Sequence, residues 1–300
     1  RATVDREILR TWPMRGTVHF VPPRDARWML EVTGVRALAG AARRREVLGL
    51  TDATVDAAAE VLREALQGGG CLTRSQCVEL LVDAGVHTAS EHGYHLLWYA
   101  SQIGVTCIGP QEGKEQTFVL LDEWVPDPRV LERDEALGEL ALRFVRSHGP
   151  VTRQDLARWT GLTAGDARRA ITLAGDALEP VDVGGTEMVV TAGLLDRESV
   201  PCPEVLLLPG FDEYMLGYKD RDAMLSTEEF ERVVPGRNGV FKATVVVRGR
   251  VAGIWGRTLR KGSVEVTVTP FSTLRRPTRT ALQRAVEEYG QYLGRQPRLT

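Results

Sequence analysis

The chain has 300 residues, 43% of them hydrophobic and 26% charged, so it is long and apolar enough for about two or three small globular domains. Its 38 basic and 40 acidic side chains leave a formal charge of -2, so any nucleic-acid surface must arise from local segregation of charge. No apolar run reaches the roughly 18 residues of a membrane span and no secretory signal occurs, which predicts a cytoplasmic protein without membrane contact.

The cysteines have no regular spacing. Cys71, Cys77, Cys107 and Cys202 form no C-x-x-C pair. This usage predicts reduced, mostly buried thiols rather than a disulfide framework.

Residues 1–50 predict the remainder of a first winged helix followed by a connecting helix. The chain starts at Arg1 without an initiator Met, and residues 5–12 have a spacing typical of the middle of a helix. We therefore expect a further N-terminal piece before this segment. Polar and apolar residues alternate over 17–21 as in a strand, and Pro22 and Pro23 end that strand before helical spacing resumes.

Residues 51–126 predict a winged helix. Thr51 caps a first helix, Thr73 caps a second, and Ser90 caps a third that ends at Gly104. Two apolar runs, 105–108 and 117–121, then flank a polar tip, which predicts a hairpin. Helices followed by a hairpin in this order are typical of winged helix-turn-helix units.

Residues 127–200 repeat this order and predict another winged helix. A helix over 135–147 is broken by Gly149-Pro150, Thr163 caps a later helix, and a hairpin turns at Gly184-Gly185. The segments Leu72-Thr73-Arg74 and Val151-Thr152-Arg153 occupy the same place in each unit, which indicates an internal duplication.

Residues 201–300 predict a β-rich domain. Strand patterns over 241–247, 250–257 and 263–269 are separated by tight turns, and Arg279 to Leu293 has the apolar stripe of an amphipathic helix. The predicted fold class is α+β, with tandem winged helix-turn-helix units followed by a C-terminal antiparallel β-rich domain and a closing helix.

Arginines mark the predicted helix-turn-helix units. Arg74 and Arg153 open the second helices, and Arg168 and Arg169 lie within a third helix. They either contact DNA phosphates and bases or serve as exposed solubilising residues. The aromatic pair Trp98-Tyr99 is favoured as core over base stacking.

The meander of the last domain is also basic. Its candidates for contact with a phosphate backbone are Arg237, Asn238, Arg257, Arg260 and Lys261. The alternative is that they are solvated turn residues that protect sheet edges.

Residues 209–222 combine aromatic and charged side chains in a pattern with no helical or strand period. Asp212 and Glu213 are weak candidates for catalytic carboxylates, and Lys219 and Arg221 are candidates for DNA contact or for neutralising these acids. The alternative is a polar corner between the helical and β-rich parts.

No metal or cofactor is predicted. His87, His92 and His95 with Cys71 or Cys77 form the one conceivable ligand set, but they lack the close ligand pairs of zinc sites. The sequence contains no P-loop, dinucleotide fingerprint, G-x-S-x-G elbow or H-E-x-x-H helix. Nucleotide hydrolysis, hydride transfer and zinc-peptidase chemistry are therefore not predicted.

Segments 10–22, 211–221 and 235–241, taken in this order, resemble the AlkZ/YcaQ-like winged-helix DNA glycosylase family over essentially the whole chain. The resemblance implies hydrolysis of the N-glycosidic bond of bulky alkylated purines, including crosslinks, by a protein bound to double-stranded DNA. Arg15 and His19 of the first segment are further candidates for DNA contact, and we expect a nucleoid-associated monomer.

The catalytic signature implied by this resemblance is a Gln-x-Gln or Gln-x-Asp upstream of residue 10. Neither occurs there, because the chain begins too late, so either an N-terminal piece is missing or catalysis has been lost. The alternatives are a non-catalytic winged-helix DNA-binding protein or transcription regulator, and a protein-interaction scaffold.

Overall fold

The computed structural model describes residues 1–86 and 90–300. The chain divides into two compact units, Arg1–Ala192 and Gly193–Thr300. Both units mix helices with strands, so the predicted α+β class is confirmed.

The first unit contains, in chain order, β1 (Leu9–Thr11), β2 (His19–Val21), α1 (Ala26–Gly40), α2 (Ala42–Leu48), α3 (Asp52–Leu66), β3 (Leu72–Thr73), α4 (Arg74–Asp83), α5 (Ser90–Gln102), β4 (Thr106–Ile108), β5 (Thr117–Leu120), α6 (Leu121–Trp124), α7 (Arg133–His148), α8 (Arg153–Thr160), α9 (Ala164–Ala174), β6 (Leu178–Val183) and β7 (Thr186–Thr191).

Helices α3, α4 and α5 pack around an apolar core. Helix α3 begins where the Thr51 hydroxyl accepts a hydrogen bond from the Thr54 amide at 3.1 Å. Its apolar face, which includes Leu62 and Leu66, is fully buried in a cluster with Leu81 and other core residues. The predicted caps Thr51 and Thr73 are confirmed, and the Ser90 side chain lies outside the described residues.

The strands beside these helices form a sheet in the order β2-β1-β4-β5-β3. The predicted hairpin is confirmed, with Cys107 opposite Val119 in an antiparallel pair. Strand β1 joins this hairpin through Arg10 opposite Ile108. The N-terminal strands therefore extend the same sheet as the hairpin.

The helical interpretation of residues 5–12 is wrong. The segment forms turns and then strand β1, which pairs with β2 and β4. Leu9 and Trp12 are buried there, at 0% and 3% exposure. Pairing with distant strands satisfies the backbone and buries these side chains, and this outweighs local helical spacing.

Helices α7, α8 and α9, followed by hairpin β6–β7, repeat the order of α3, α4, α5 and β4–β5. Helices α4 and α8 both begin with a capping box, formed by Thr73 with Gln76 and by Thr152 with Asp155. In each case the residue after the cap is an arginine.

Helices α1 and α7 are joined by a charged cluster with Asp25 at its centre. Asp25 is 6% exposed and accepts hydrogen bonds from Trp28 Nε1 at 2.8 Å and from an Arg143 guanidinium nitrogen at 2.7 Å. Arg143 and Arg129 also donate to the Glu139 carboxylate, at 2.7 and 2.9 Å. Burial opposes ionisation of Asp25, but the Arg143 and Trp28 hydrogen bonds outweigh it and lower its pKa.

The second unit contains β8 (Val205–Leu208), α10 (Glu213–Leu216), α11 (Thr227–Val233), β9 (Thr244–Val247), β10 (Arg250–Leu259), β11 (Ser263–Pro270), α12 (Arg276–Leu293) and β12 (Gln296–Leu299). Its sheet has the order β12-β11-β10-β9-β8. Helix α12 buries Leu282 and Val286 against Val264 and Val266 of the sheet.

The closing helix is not the last element, which corrects the prediction of an antiparallel domain closed by a helix. After Gly294 (φ +61°) the chain turns back, and β12 pairs with β11 in parallel. Pro297 made this strand hard to predict, since proline lacks the amide hydrogen of a ladder and is confined to edges. Here β12 is an edge strand, and Gly290 lets the Pro297 ring approach α12.

Two cysteines are buried and two are exposed, so the prediction of mostly buried thiols is half right. Burial raises the pKa of the Cys77 and Cys107 thiols to about 12, while Cys71 and Cys202 are exposed. In the described part of the chain, no helix has the length and apolar character needed to cross a membrane.

Candidate nucleic-acid interface

The first of the resembling segments, residues 10–22, is held against helix α5. Trp98 Nε1 donates a hydrogen bond to the Gly16 carbonyl oxygen at 3.0 Å, and Gln102 Nε2 donates to the Trp12 carbonyl oxygen at 2.7 Å. Gly16 has φ +66°, and a Cβ there would lie 3.0 Å from the Trp98 ring. The turn after Trp12 therefore needs glycine both for its backbone conformation and for close packing.

Arg15 and His19 flank this turn. Arg15 is exposed, has φ +56° and lies beside Gly161 at the end of helix α8. His19 Nε2 shares a 2.9 Å hydrogen bond with the Thr17 hydroxyl, and its ring meets Trp159 of α8 edge-on at 6.5 Å. Both side chains lie where residues 10–22 approach α8, which the sequence did not indicate.

Arg74 lies at the rim of an open groove. Its backbone amide donates to the Gln116 carbonyl oxygen at 2.9 Å, which joins the start of α4 to the tip of hairpin β4–β5. Arg10, Arg74 and Lys114 line the groove, which has a volume of about 770 Å³ and also contains Glu79 and Glu115. The cations could hold a phosphate backbone, and the acids would keep the attraction modest.

The arginines of the α7–α9 region differ in how they are paired. Arg153, the first residue of α8, and Arg168 are exposed. Arg169 instead makes a bidentate ion pair with Asp134, with its Nε 2.7 Å from Oδ1. The Arg169 hydrogen bond lowers the pKa of Asp134, so a DNA contact by Arg169 would have to compete with this carboxylate.

The aromatic residues of α5 are mainly structural. Trp98 is 8% exposed and belongs to the core, as predicted. The Tyr99 hydroxyl donates to Asp56 at 2.9 Å. Tyr94, by contrast, is 50% exposed, and the Arg74 guanidinium lies 5.6 Å from its ring centre.

One basic run escaped the sequence interpretation. Arg43, Arg44 and Arg45 are consecutive in the short helix α2, and Arg45 pairs with Asp52 at 3.1 Å. Arg44 lines a small aromatic pocket on α5. The sequence signal for this site is the run of three adjacent arginines.

In the second unit, Asp212 caps helix α10, since its Oδ1 accepts a hydrogen bond from the Tyr214 amide at 2.9 Å. Glu213 and Lys219 are exposed. Arg221 Nε donates to the Met215 carbonyl oxygen at 2.6 Å, and its guanidinium lies 5.5 Å from the Phe230 ring centre. Arg221 thus organises this loop from within its own unit.

The other candidates of the second unit are turn residues. Arg237 lies 4.0 Å from Glu231, and Asn238 Oδ1 accepts a hydrogen bond from the Val240 amide at 2.9 Å. Arg257 contacts the Tyr289 hydroxyl, and Arg260 lies 3.7 Å from Glu265. Lys261 is exposed at the tip of hairpin β10–β11.

The conceivable metal set receives no support from the geometry. His87 lies outside the described residues, and the His95 ring packs 5.4 Å from Trp98 between centroids. Among residues 1–86 and 90–300, no group of three His, Cys, Asp or Glu side chains is arranged to hold a metal ion.

Comparison with known proteins decides the family. The sequence model of the family described as "DNA glycosylase AlkZ-like" matches residues 1–292. The chain belongs to the AlkZ-like DNA glycosylase family. It is 29% identical over 286 residues to the interstrand DNA cross-link repair glycosylase of Streptomyces sahachiroi, and the match covers 90% of this chain and 75% of that protein.

A solved structure of an AlkZ-like protein has a similar fold. The structure of Streptomyces sahachiroi DNA glycosylase AlkZ matches with a TM-score of 0.82 and 27% identity. The match covers 100% of this chain and 84% of that chain.

Proposed function

We propose that this protein is a DNA-repair glycosylase that binds double-stranded DNA and hydrolyses the N-glycosidic bond of bulky alkylated purines or crosslinks. The observation that carries the proposal is the match of the AlkZ-like DNA glycosylase family to residues 1–292. The names of the similar proteins, a cross-link repair glycosylase and a DNA glycosylase, support the same chemistry.

The proposal includes tandem winged helices at 51–126 and 127–200, with a β-rich domain at 201–300, acting as a cytoplasmic, nucleoid-associated monomer. Two features support this division: helices followed by a hairpin occur in the same order in both segments, and helices α4 and α8 share a Thr-capped start followed by arginine. Arg74 and Arg153 would then occupy equivalent positions toward DNA.

The chemistry is suited to a cationic leaving group. Alkylation at N7 or N3 places positive charge on the purine, so the enzyme needs only to orient water and stabilise an oxocarbenium-like sugar. No Gln-x-Gln or Gln-x-Asp occurs in residues 1–300, so we assign that role to none of these residues. Asp212, as a helix cap, and exposed Glu213 fit support of the loop better than catalysis.

The test is release of base from adducted DNA. The full gene product should liberate N7-alkylguanine from a duplex treated with a bulky alkylating agent, measured by chromatography of the released base. It should also bind duplex DNA with an affinity that falls as salt rises. Tight binding without release from any alkylated or crosslinked duplex would instead favour the non-catalytic DNA-binding alternative. Failure to bind duplex DNA at low salt would favour the scaffold alternative.

A further inference from the structure

A small pocket opens beside the segment that helix α5 holds in place. It is lined by Gly16, Ala41, Arg44, Tyr94, His95 and Trp98. Its volume of about 330 Å³ is at the lower end of the range for small-ligand pockets. The lining combines three aromatic side chains with one cation, which suits a planar ring attached to an anionic group.

His95 in the wall of this pocket has an unmet polar group. The side chain is 7% exposed, and its Nε2 has no hydrogen-bond partner within the described residues. Burial, with the nearby cations Arg45 and Arg44, lowers the pKa of His95 and so favours the uncharged ring. Because this nitrogen is buried, the His95 ring contributes a flat surface to the pocket wall rather than a hydrogen bond to a bound group.

The pocket adjoins the basic groove at Tyr94. This ring lines the pocket, and the guanidinium of Arg74, a residue that lines the groove, lies 5.6 Å from the ring centre. A nucleic-acid strand whose phosphates lie along the groove would therefore pass next to the pocket. Arg44 at the pocket could hold an adjacent phosphate.

We propose that this pocket, formed by Trp98, His95 and Tyr94 with Arg44, holds one unpaired nucleobase of the DNA. The inference rests on the proposed function, because it takes DNA as the ligand. The base leaves the helical stack and packs among the aromatic rings, which recovers part of the stacking lost in the duplex. The pocket thereby favours duplexes that are locally opened, as they are at damaged positions.

The experiment compares two fluorescein-labelled duplexes of the same sequence, one fully paired and one with a single unpaired adenine. Fluorescence anisotropy should show binding to the second on the order of tenfold tighter. Ala41→Phe should remove this preference by filling the pocket, and it should leave binding to the paired duplex unchanged. Ala41 has a right-handed helical backbone (φ -79°, ψ -10°), a conformation that phenylalanine also adopts, and thermal unfolding checks that the variant is folded.

Val35→Phe is the matched control. Val35 lies in helix α1, which ends directly before Ala41, is 60% exposed and does not line the pocket, so the added ring should leave the preference intact. A wild-type protein that binds both duplexes equally would overturn the inference. So would a folded Ala41→Phe variant that keeps the full preference.

Photocross-linking tests the same contact without any substitution. A duplex with one unpaired 5-iodouracil should cross-link to the wild-type peptide that contains Tyr94 and Trp98, as identified by mass spectrometry. Cross-links found only on other peptides would overturn the inference. A protein that releases alkylated bases but fails these tests loses only the pocket assignment, whereas one that binds neither duplex loses the proposed function as well.

Discussion

Trp98 donates its indole hydrogen to the carbonyl oxygen of Gly16 at 3.0 Å, and this bond ties the family-like segment 10–22 to helix α5. The relationship makes Gly16 a sensitive position, since its φ is +66° and a Cβ would lie 3.0 Å from the Trp98 ring.

We expect Gly16→Ala to lower the free energy of unfolding by about 2–3 kcal/mol, through backbone strain plus crowding of the Trp98 ring. Urea denaturation measures the change. Gly113→Ala is the control, because Gly113 also has positive φ (+57°) but a Cβ there would meet nothing within 4 Å. Equal losses in both variants would show that crowding contributes nothing.

We expect Asp25→Asn to cost about 2–4 kcal/mol of unfolding free energy, because it removes the buried negative charge that pairs with Arg143 and leaves that guanidinium with Glu139 alone. The pKa of Asp25 is lowered in the fold, so its contribution is present above the ordinary carboxyl pKa of about 4 and is lost as pH falls through the lower folded value.

The pH dependence can be followed by thermal unfolding of wild type and Asp25→Asn. Their difference should be constant near neutral pH and shrink below about pH 4. Asp127→Asn provides the control: Asp127 pairs with Arg24 at 3.1 Å, but its side chain is 84% exposed, so the change should cost less than about 0.5 kcal/mol. A difference that persists unchanged at low pH would contradict this role for Asp25.

Arg74→Ala and Arg153→Ala should each weaken duplex binding and reduce the slope of log affinity against log salt by about 1, as expected for loss of one phosphate contact. Arg63→Ala removes the same charge from an exposed pair with Glu60 on α3, and it should leave the slope unchanged. An identical effect of all three changes would indicate a response to net charge alone.

Lys261→Ala should weaken duplex binding without changing the melting temperature, because the side chain is exposed at a hairpin tip. Arg257→Ala should lower stability modestly, since Arg257 contacts Tyr289 of helix α12. Paired measurements of anisotropy and thermal unfolding separate the two effects. Normal DNA binding by Lys261→Ala would remove this tip from the interface.

Asp212→Ala should cost about 0.5–2 kcal/mol as a lost helix cap, whereas Asp212→Asn should be close to wild type because asparagine caps equally well. Chemical denaturation gives both values, and base release provides the second readout. Loss of base release in a fully stable Asp212→Asn variant would show that the carboxylate takes part in the chemistry.

Local signals in the sequence determined most helix starts and the hairpins. Thr51, Thr73 and Thr163 were predicted as caps, and each accepts a hydrogen bond from an amide of the following turn. The turn at Lys261-Gly262 joins strands as expected. These features follow from interactions between residues close in sequence, which a local pattern records directly.

Tertiary structure decided the features that depend on distant partners. Residues 9–11 form strand β1 despite their helical spacing, because β2 and β4 supply its hydrogen bonds. Strand β12 forms despite Pro297, because it pairs with β11 at the edge of the sheet. The Arg221 side chain folds back into the loop of residues 209–222, where it donates a hydrogen bond to the Met215 carbonyl oxygen. Trp98 belongs to the core and also lines the small pocket, together with Gly16, to which it donates a hydrogen bond. These two residues are far apart in sequence, so no local pattern encodes their contact.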